Sequence, residues 1–127
     1  GGKNQRMALY DGILIKENHI AAAGGVTPAL TAAASLNAGA PVQIEVETIA
    51  QLEEALAAGV KSVLLDNFNL DMMREAVRVN AGRALLEASG GINMDTVRAI
   101  AETGVDRISI GSLTKDIRAT DYSLRIV

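Results

Sequence analysis

The chain has 127 residues, 49% hydrophobic, 21% charged and 2% aromatic, with a net charge of −3 and a sequence pI near 5.1. That length suits one compact domain with a buried core, and the near-average composition excludes disordered and fibrous classes. An acidic chain whose rings are Tyr10, Phe68 and Tyr122 offers neither clustered cations nor a stacking surface, which excludes nucleic acid as a partner, and the absence of cysteine removes disulfides, thiolate metal sites and a thiol nucleophile.

The first strand-like run is 12–16, Gly12-Ile13-Leu14-Ile15-Lys16. The most apolar stretch follows, from Ile20 to Pro41. It is mostly Ala and Gly and is broken by Thr27, Pro28 and Asn37, so it predicts no membrane-spanning helix, and no signal peptide precedes it. With no cysteine to oxidise, the cytoplasm is the default compartment. Next comes Val42-Gln43-Ile44-Glu45-Val46, a second strand, then a helical period in Ile49, Leu52 and Leu56 with Thr48 as its cap. Ser62-Val63-Leu64-Leu65-Asp66 predicts a third strand, and Met72, Ala76 and Val79 a helix capped by Asn69 or Asp71, with Met72 and Met73 as packing residues. A fourth strand falls at Ala84-Leu85-Leu86-Glu87. Asn93 or Asp95, ahead of Thr96, marks the start of another helix by accepting from its free amides, and Arg107-Ile108-Ser109-Ile110 predicts a fifth strand. Ser123-Leu124-Arg125-Ile126 is a possible sixth strand closing an edge.

Gly59, Gly82 and Gly104 keep time with this alternation at separations of 23 and 22 residues, each where a helix should end in a left-handed cap. Connections of helical length between strands predict parallel pairing. The fold class expected is therefore α/β, a partial (β/α) barrel of five to six mostly parallel strands with helices outside. An open doubly wound sheet is the other arrangement of such units, and the regular spacing favours the barrel. A whole eight-unit barrel takes about 250 residues. Residues 1–127 accordingly read as one unit, an excerpt whose upstream partner strands lie outside it.

Barrel chemistry sits where strands run into the loops before their helices. The polar or glycine residues there are Lys16, Glu45, Asp66, Ser89 and Gly111, separated by 29, 21, 23 and 22 residues, so each repeat delivers one candidate to the same rim. Lys16 can bind an anion or form a Schiff base. Glu45 and Asp66 suit Mg²⁺ shared with substrate phosphates and water, or sugar hydroxyls. Ser89-Gly90-Gly91 and Ile110-Gly111-Ser112 are glycine turns on successive late strands, with amides available to a phosphate and helix amino termini expected behind them. His19, the sole histidine, lacks the partners of a zinc site or a hydrolytic triad and is expected to pack or cap.

Together, Asn4-Gln5-Arg6, Ile15-Lys16-Glu17-Asn18-His19-Ile20, Glu45-Val46-Glu47, Leu65-Asp66-Asn67-Phe68, Glu87-Ala88-Ser89-Gly90-Gly91, Glu102-Thr103-Gly104-Val105-Asp106 and Ile110-Gly111-Ser112-Leu113-Thr114 resemble quinolinate phosphoribosyltransferase in order and spacing over nearly the whole chain. The resemblance implies the C-terminal part of a barrel catalytic domain. An amino-terminal domain and the first barrel strands would lie outside this sequence, and the parent would be a homodimer or higher oligomer. It implies phosphoribosyl transfer from phosphoribosyl pyrophosphate to quinolinate with decarboxylation. Arg6 and Lys16 match positions that hold quinolinate carboxylates or nearby anions. Glu45 and Asp66 match acidic residues near ribose and Mg²⁺, and Lys16, Glu45 and Asp66 form the expected catalytic set. Ser89, Gly90, Gly91, Ile110, Gly111 and Ser112 match the phosphate turns. Gln5 departs from a common histidine, and the upstream basic segment for quinolinate is not in the sequence. Two alternatives stand beside this: a lyase or aldolase with a Schiff base on Lys16, and a half-barrel inactive on its own.

Overall fold

In the computed structural model, residues 2, 4, 7–36 and 39–126 are described. After a 3-10 turn at Leu9–Asp11, strands and helices alternate: β1 (Ile13–Ile15), α1 (Glu17–Ala23), α2 (Val26–Ser35), β2 (Val42–Val46), α3 (Ile49–Ala57), β3 (Ser62–Asp66), α4 (Leu70–Asn80), β4 (Leu85–Ser89), α5 (Val97–Ala101), β5 (Arg107–Ile108) and α6 (Ser112–Lys115).

The five strands form one sheet in the order β1-β2-β3-β4-β5, every pair parallel. Each strand lies beside its sequence neighbour with no reversal. A doubly wound sheet reverses its order at a switch point, so this progression is that of a barrel wall.

Alternation along the strands separates two faces. Ile44, Val46, Val63, Leu65, Leu86 and Ala88 are buried in the core cluster with Leu52, Ala55, Met73, Ala76 and Ile100 of the helices. The opposite face carries Gln43, Glu45, Ser62, Leu64, Asp66, Glu87 and Ser89. In register, Glu45 stands opposite Leu64, Leu64 opposite Glu87, and Glu87 opposite Arg107. Leu64 is buried but lies outside the helix-packed cluster. The face turned from the helices is therefore the polar interior, and Glu45 belongs to it, while Glu47 lies past the end of β2 and is exposed.

Local signals explain the helix boundaries. Thr48 accepts from the Gln51 amide at 3.2 Å and Asn69 from the Met72 amide at 2.9 Å, whereas Asp71 pairs with Arg74 instead. Gly59, Gly82 and Gly104 have φ of 80°, 75° and 93°, the left-handed conformation expected of them. Pro28, a break by sequence, sits in the first turn of α2, where proline is tolerated because its amide hydrogen is not needed. The carboxylate of Glu54 on α3 accepts from both the amide and the hydroxyl of Thr27, each at 2.9 Å, and so secures the start of α2.

Three expectations are corrected. Ser123 to Ile126 form no strand; residues 117–126 have no regular structure and are exposed. β5 pairs over Arg107 and Ile108 alone, although the Ser109 amide still reaches the Ala88 carbonyl at 2.9 Å. Asn93 does cap the segment after Ser89-Gly90-Gly91, accepting from the amides of Asp95 and Thr96, and the regular helix follows from Val97. α5 and α6 span five and four residues, too short for the strong helix dipole expected behind the glycine turns.

Candidate active site

Strand ends bring the candidate residues to one rim. Lys16 closes β1, and its backbone amide donates to Nδ1 of His19 at 3.0 Å, so His19 acts as a cap on the first turn of α1, as expected. The Lys16 ammonium stands 3.5 Å from Oε2 of Glu45 on β2; the lysine side chain is 50% exposed and the glutamate 11%. One member of the pair is thus wet and the other nearly sequestered. Burial pushes the Glu45 carboxyl above its ordinary range, Lys16 opposes that, and the neighbouring Asp66 charge adds to it. The upward shift means that withdrawal from water outweighs the pairing.

Asp66 closes β3 and stands in register with Ser89 at the end of β4. Its Oδ2 accepts from the side-chain amide of Asn67 at 2.9 Å. Beyond Ser89 the chain turns through Gly90 and Gly91, with φ of 97° and 62°, conformations that suit glycine. Across from this turn lies Gly111, with an ordinary φ of −72°, followed by Ser112. The two turns line one cleft of about 500 Å³, together with Ser109, Lys115 and others.

Most of the sequence candidates are thereby assembled in two adjoining groups. Lys16, Glu45 and Asp66 form the charged group, while Ser89, Gly90, Gly91, Gly111 and Ser112 form the cleft. Ile110 is not part of the cleft lining, because its half-buried side chain packs against the core, leaving its backbone as its route to a ligand. Arg6 lies outside the described residues. A larger cavity of about 790 Å³ opens at the other end of the strands, near Gly12, Pro41 and Lys61. It is remote from the loops that follow the strands, which is where barrels carry their chemistry, so the smaller cleft is the better site.

Sequence reasoning missed a group beneath the rim. Glu87 accepts from the side-chain amide of Gln43 at 3.0 Å and from the hydroxyl of Ser109, tying β2, β4 and the start of the last turn together. A charged residue in the middle of an otherwise apolar strand was the available signal. Lys115 is a second omission. A β-carbon built on Gly111 would lie 3.8 Å from its Nζ, so an ammonium overhangs the turn.

Comparison with known proteins gives a consistent set. Residues 1–125 match the family model described as quinolinate phosphoribosyl transferase, C-terminal domain. The probable nicotinate-nucleotide pyrophosphorylase [carboxylating] of Bacillus subtilis is 41% identical over 128 residues, an alignment that takes in 99% of this chain and 44% of that protein. The structure of the nicotinate-nucleotide pyrophosphorylase from Francisella tularensis superposes with a TM-score of 0.88 at 45% identity, over 93% of this chain and 42% of that one. The corresponding structure from Ehrlichia chaffeensis gives 0.89 at 41% identity, over 95% and 44%. The chain thus spans less than half the length of the relatives it matches.

Proposed function

Because the chain belongs to the family of quinolinate phosphoribosyltransferase C-terminal domains, we propose that the whole protein transfers phosphoribose from phosphoribosyl pyrophosphate to quinolinate. The products are nicotinate mononucleotide, pyrophosphate and CO₂, in NAD biosynthesis. The observation that carries this reading is the juxtaposition on one rim of the Lys16–Glu45–Asp66 charges with a cleft between two glycine turns. A doubly anionic sugar phosphate and an anionic pyridine need such a divided site.

In the reaction, the pyridine nitrogen forms a bond to the anomeric carbon as the bond to pyrophosphate breaks. The bond between ring carbon two and its carboxylate then breaks, CO₂ leaves, and the carbon takes up a proton. The transition state places positive charge on the sugar, and in this reading Glu45 and Asp66 supply the carboxylates that stabilise it. Lys16 neutralises a carboxylate of quinolinate or the departing oxygens, while the amides of the two glycine turns hold the 5-phosphate. No covalent enzyme intermediate is required.

Mg²⁺ fits as a partner shared with substrate: Asp66 and Glu45 interact electrostatically, and two carboxylates completed by phosphates and water are a usual Mg²⁺ arrangement. No cluster of three or more His, Asp or Glu side chains placed to hold a metal occurs among the described residues. When bound there, Mg²⁺ supplies charge stabilisation to the leaving pyrophosphate.

The resemblance also supports assembly as a homodimer or higher oligomer, with the remaining barrel strands and an amino-terminal domain supplied by the rest of the protein. The 127-residue chain alone would be inactive. No helix among the described residues is long and apolar enough to cross a membrane, and a cysteine-free sequence suits the cytoplasm. Calorimetric titration of the whole protein with quinolinate and with nicotinate tests the substrate. With Arg6 and Lys16 assigned to carboxylates, the dicarboxylate should bind far more tightly, and equal affinities would refute the assignment.

A further inference from the structure

Asn67 occupies a backbone conformation that few residues tolerate. Its φ is 55°, in the left-handed region, where asparagine is one of the side chains that sits with least penalty. Three contacts made from that position connect the two halves of the candidate site. The side-chain amide donates to Oδ2 of Asp66 at 2.9 Å. The backbone amide donates to the carbonyl of Ser89 at 3.1 Å. The rest of the side chain lies flat against Gly90: a β-carbon there would meet Asn67 Oδ1 inside any tolerable contact, with Asn67 Cγ at 2.9 Å and its backbone nitrogen at 3.0 Å. Gly90 therefore has to be glycine because of Asn67 as well as because of its own φ of 97°.

We infer that Asn67 is a positioning residue, which clamps the Asp66 carboxylate and the Ser89-Gly90-Gly91 turn at a fixed separation so that one phosphoribosyl pyrophosphate molecule meets both. The inference rests on the function proposed above and adds a residue to it. Asn67 acts through its neighbours: its donor directs one oxygen of Asp66 and leaves the other for substrate, and its backbone and side chain hold the turn in register with that carboxylate. A left-handed conformation pins the side chain between the two strands, where an extended residue would point it elsewhere.

Two substitutions separate this role from plain structural support. Asn67→Gly retains the left-handed backbone without strain and the amide that donates to the Ser89 carbonyl, and removes both side-chain contacts of the clamp, the bond to Asp66 and the packing on Gly90. Asn67→Asp retains shape and backbone tolerance, yet sets a second carboxylate against Asp66 where the donor was. In the whole enzyme, steady-state kinetics should show the KM for phosphoribosyl pyrophosphate raised about tenfold or more, since a displacement of about 1 Å in a positioned group can cost on the order of 100-fold. The quinolinate KM should stay within about twofold and the melting temperature within about 2 °C, because no core contact is lost. An unchanged KM for phosphoribosyl pyrophosphate in Asn67→Gly overturns the inference and leaves the proposed function standing. Both KM values and the melting temperature moving together assigns Asn67 to folding alone and also overturns it. Wild-type enzyme that turns over no quinolinate with phosphoribosyl pyrophosphate overturns the proposed function itself, and this inference with it.

Discussion

Replacing Gly111 with valine should damage phosphate binding while sparing the fold. Gly111 has φ −72° and ψ −25°, open to any residue, and the nearest side-chain atoms to an added β-carbon belong to the flexible end of Lys115, at 3.7 Å and beyond. The fold cost should therefore stay within about 0.5 kcal/mol, the range of harmless surface changes. The valine methyls would instead enter the cleft between Gly111 and the Ser89-Gly90-Gly91 turn, at the place assigned to the 5-phosphate. Each charge-assisted hydrogen bond withheld from that anion is worth about 1.5–3 kcal/mol, or roughly 10- to 150-fold in affinity. Calorimetry on the whole enzyme should show phosphoribosyl pyrophosphate weakened by at least the lower figure and quinolinate nearly unaffected. A folded valine variant with normal phosphoribosyl pyrophosphate affinity would place the phosphate elsewhere.

Asn80 is 4% exposed and uses both ends of its amide on Ala84, donating to its carbonyl at 2.8 Å and accepting from its amide at 3.0 Å. Asn80→Ala leaves two buried backbone groups unpaired at about 1–3 kcal/mol each, so thermal melting should fall by roughly 10 °C; a drop under about 2 °C would contradict the geometry. A carboxyl with a raised folded pKa stabilises the fold in its protonated form, fully below its ordinary 4.5, and loses that contribution as pH climbs through the raised value. Glu45→Gln, neutral throughout, should therefore melt higher than wild type at pH 7 and match it at pH 4, whereas a gap independent of pH would show that burial does not control this carboxyl. Lys16 pairs with Glu45 at 3.5 Å and its side chain is 50% exposed, unlike the desolvated lysines that condense with carbonyls. Borohydride treatment with a keto acid should leave Lys16 unmodified, and a reduced adduct there would support the lyase alternative.

Legibility followed the strength of the local signal. β2 and β3 agree residue for residue with the runs Val42 to Val46 and Ser62 to Asp66, because both are strands inside the sheet, each apolar on the face packed by helices. α1 and α2 were not legible as helices. Their alanine-rich sequence has little polar contrast around the helix, and α2 depends on a distant residue, Glu54, for its amino-terminal partner. The apolar pattern of Ser123 to Ile126 suggested a strand, but pattern supplies no partner, and those residues lie exposed. In the candidate site, residues that close strands could be found by counting along the repeat. Asn67, Glu87 and Ser109 could not, since their importance comes from hydrogen bonds across strands, and Asn67 further depends on a backbone conformation that composition does not reveal.

The most direct test of the central claim is release of CO₂ from quinolinate labelled in the carboxylate at position two, measured with the whole protein, Mg²⁺ and phosphoribosyl pyrophosphate. Labelled CO₂ and nicotinate mononucleotide should form in equal amounts, and neither should form when phosphoribosyl pyrophosphate is withheld. No release from folded protein with all components present, or release that proceeds without phosphoribosyl pyrophosphate, would contradict the account.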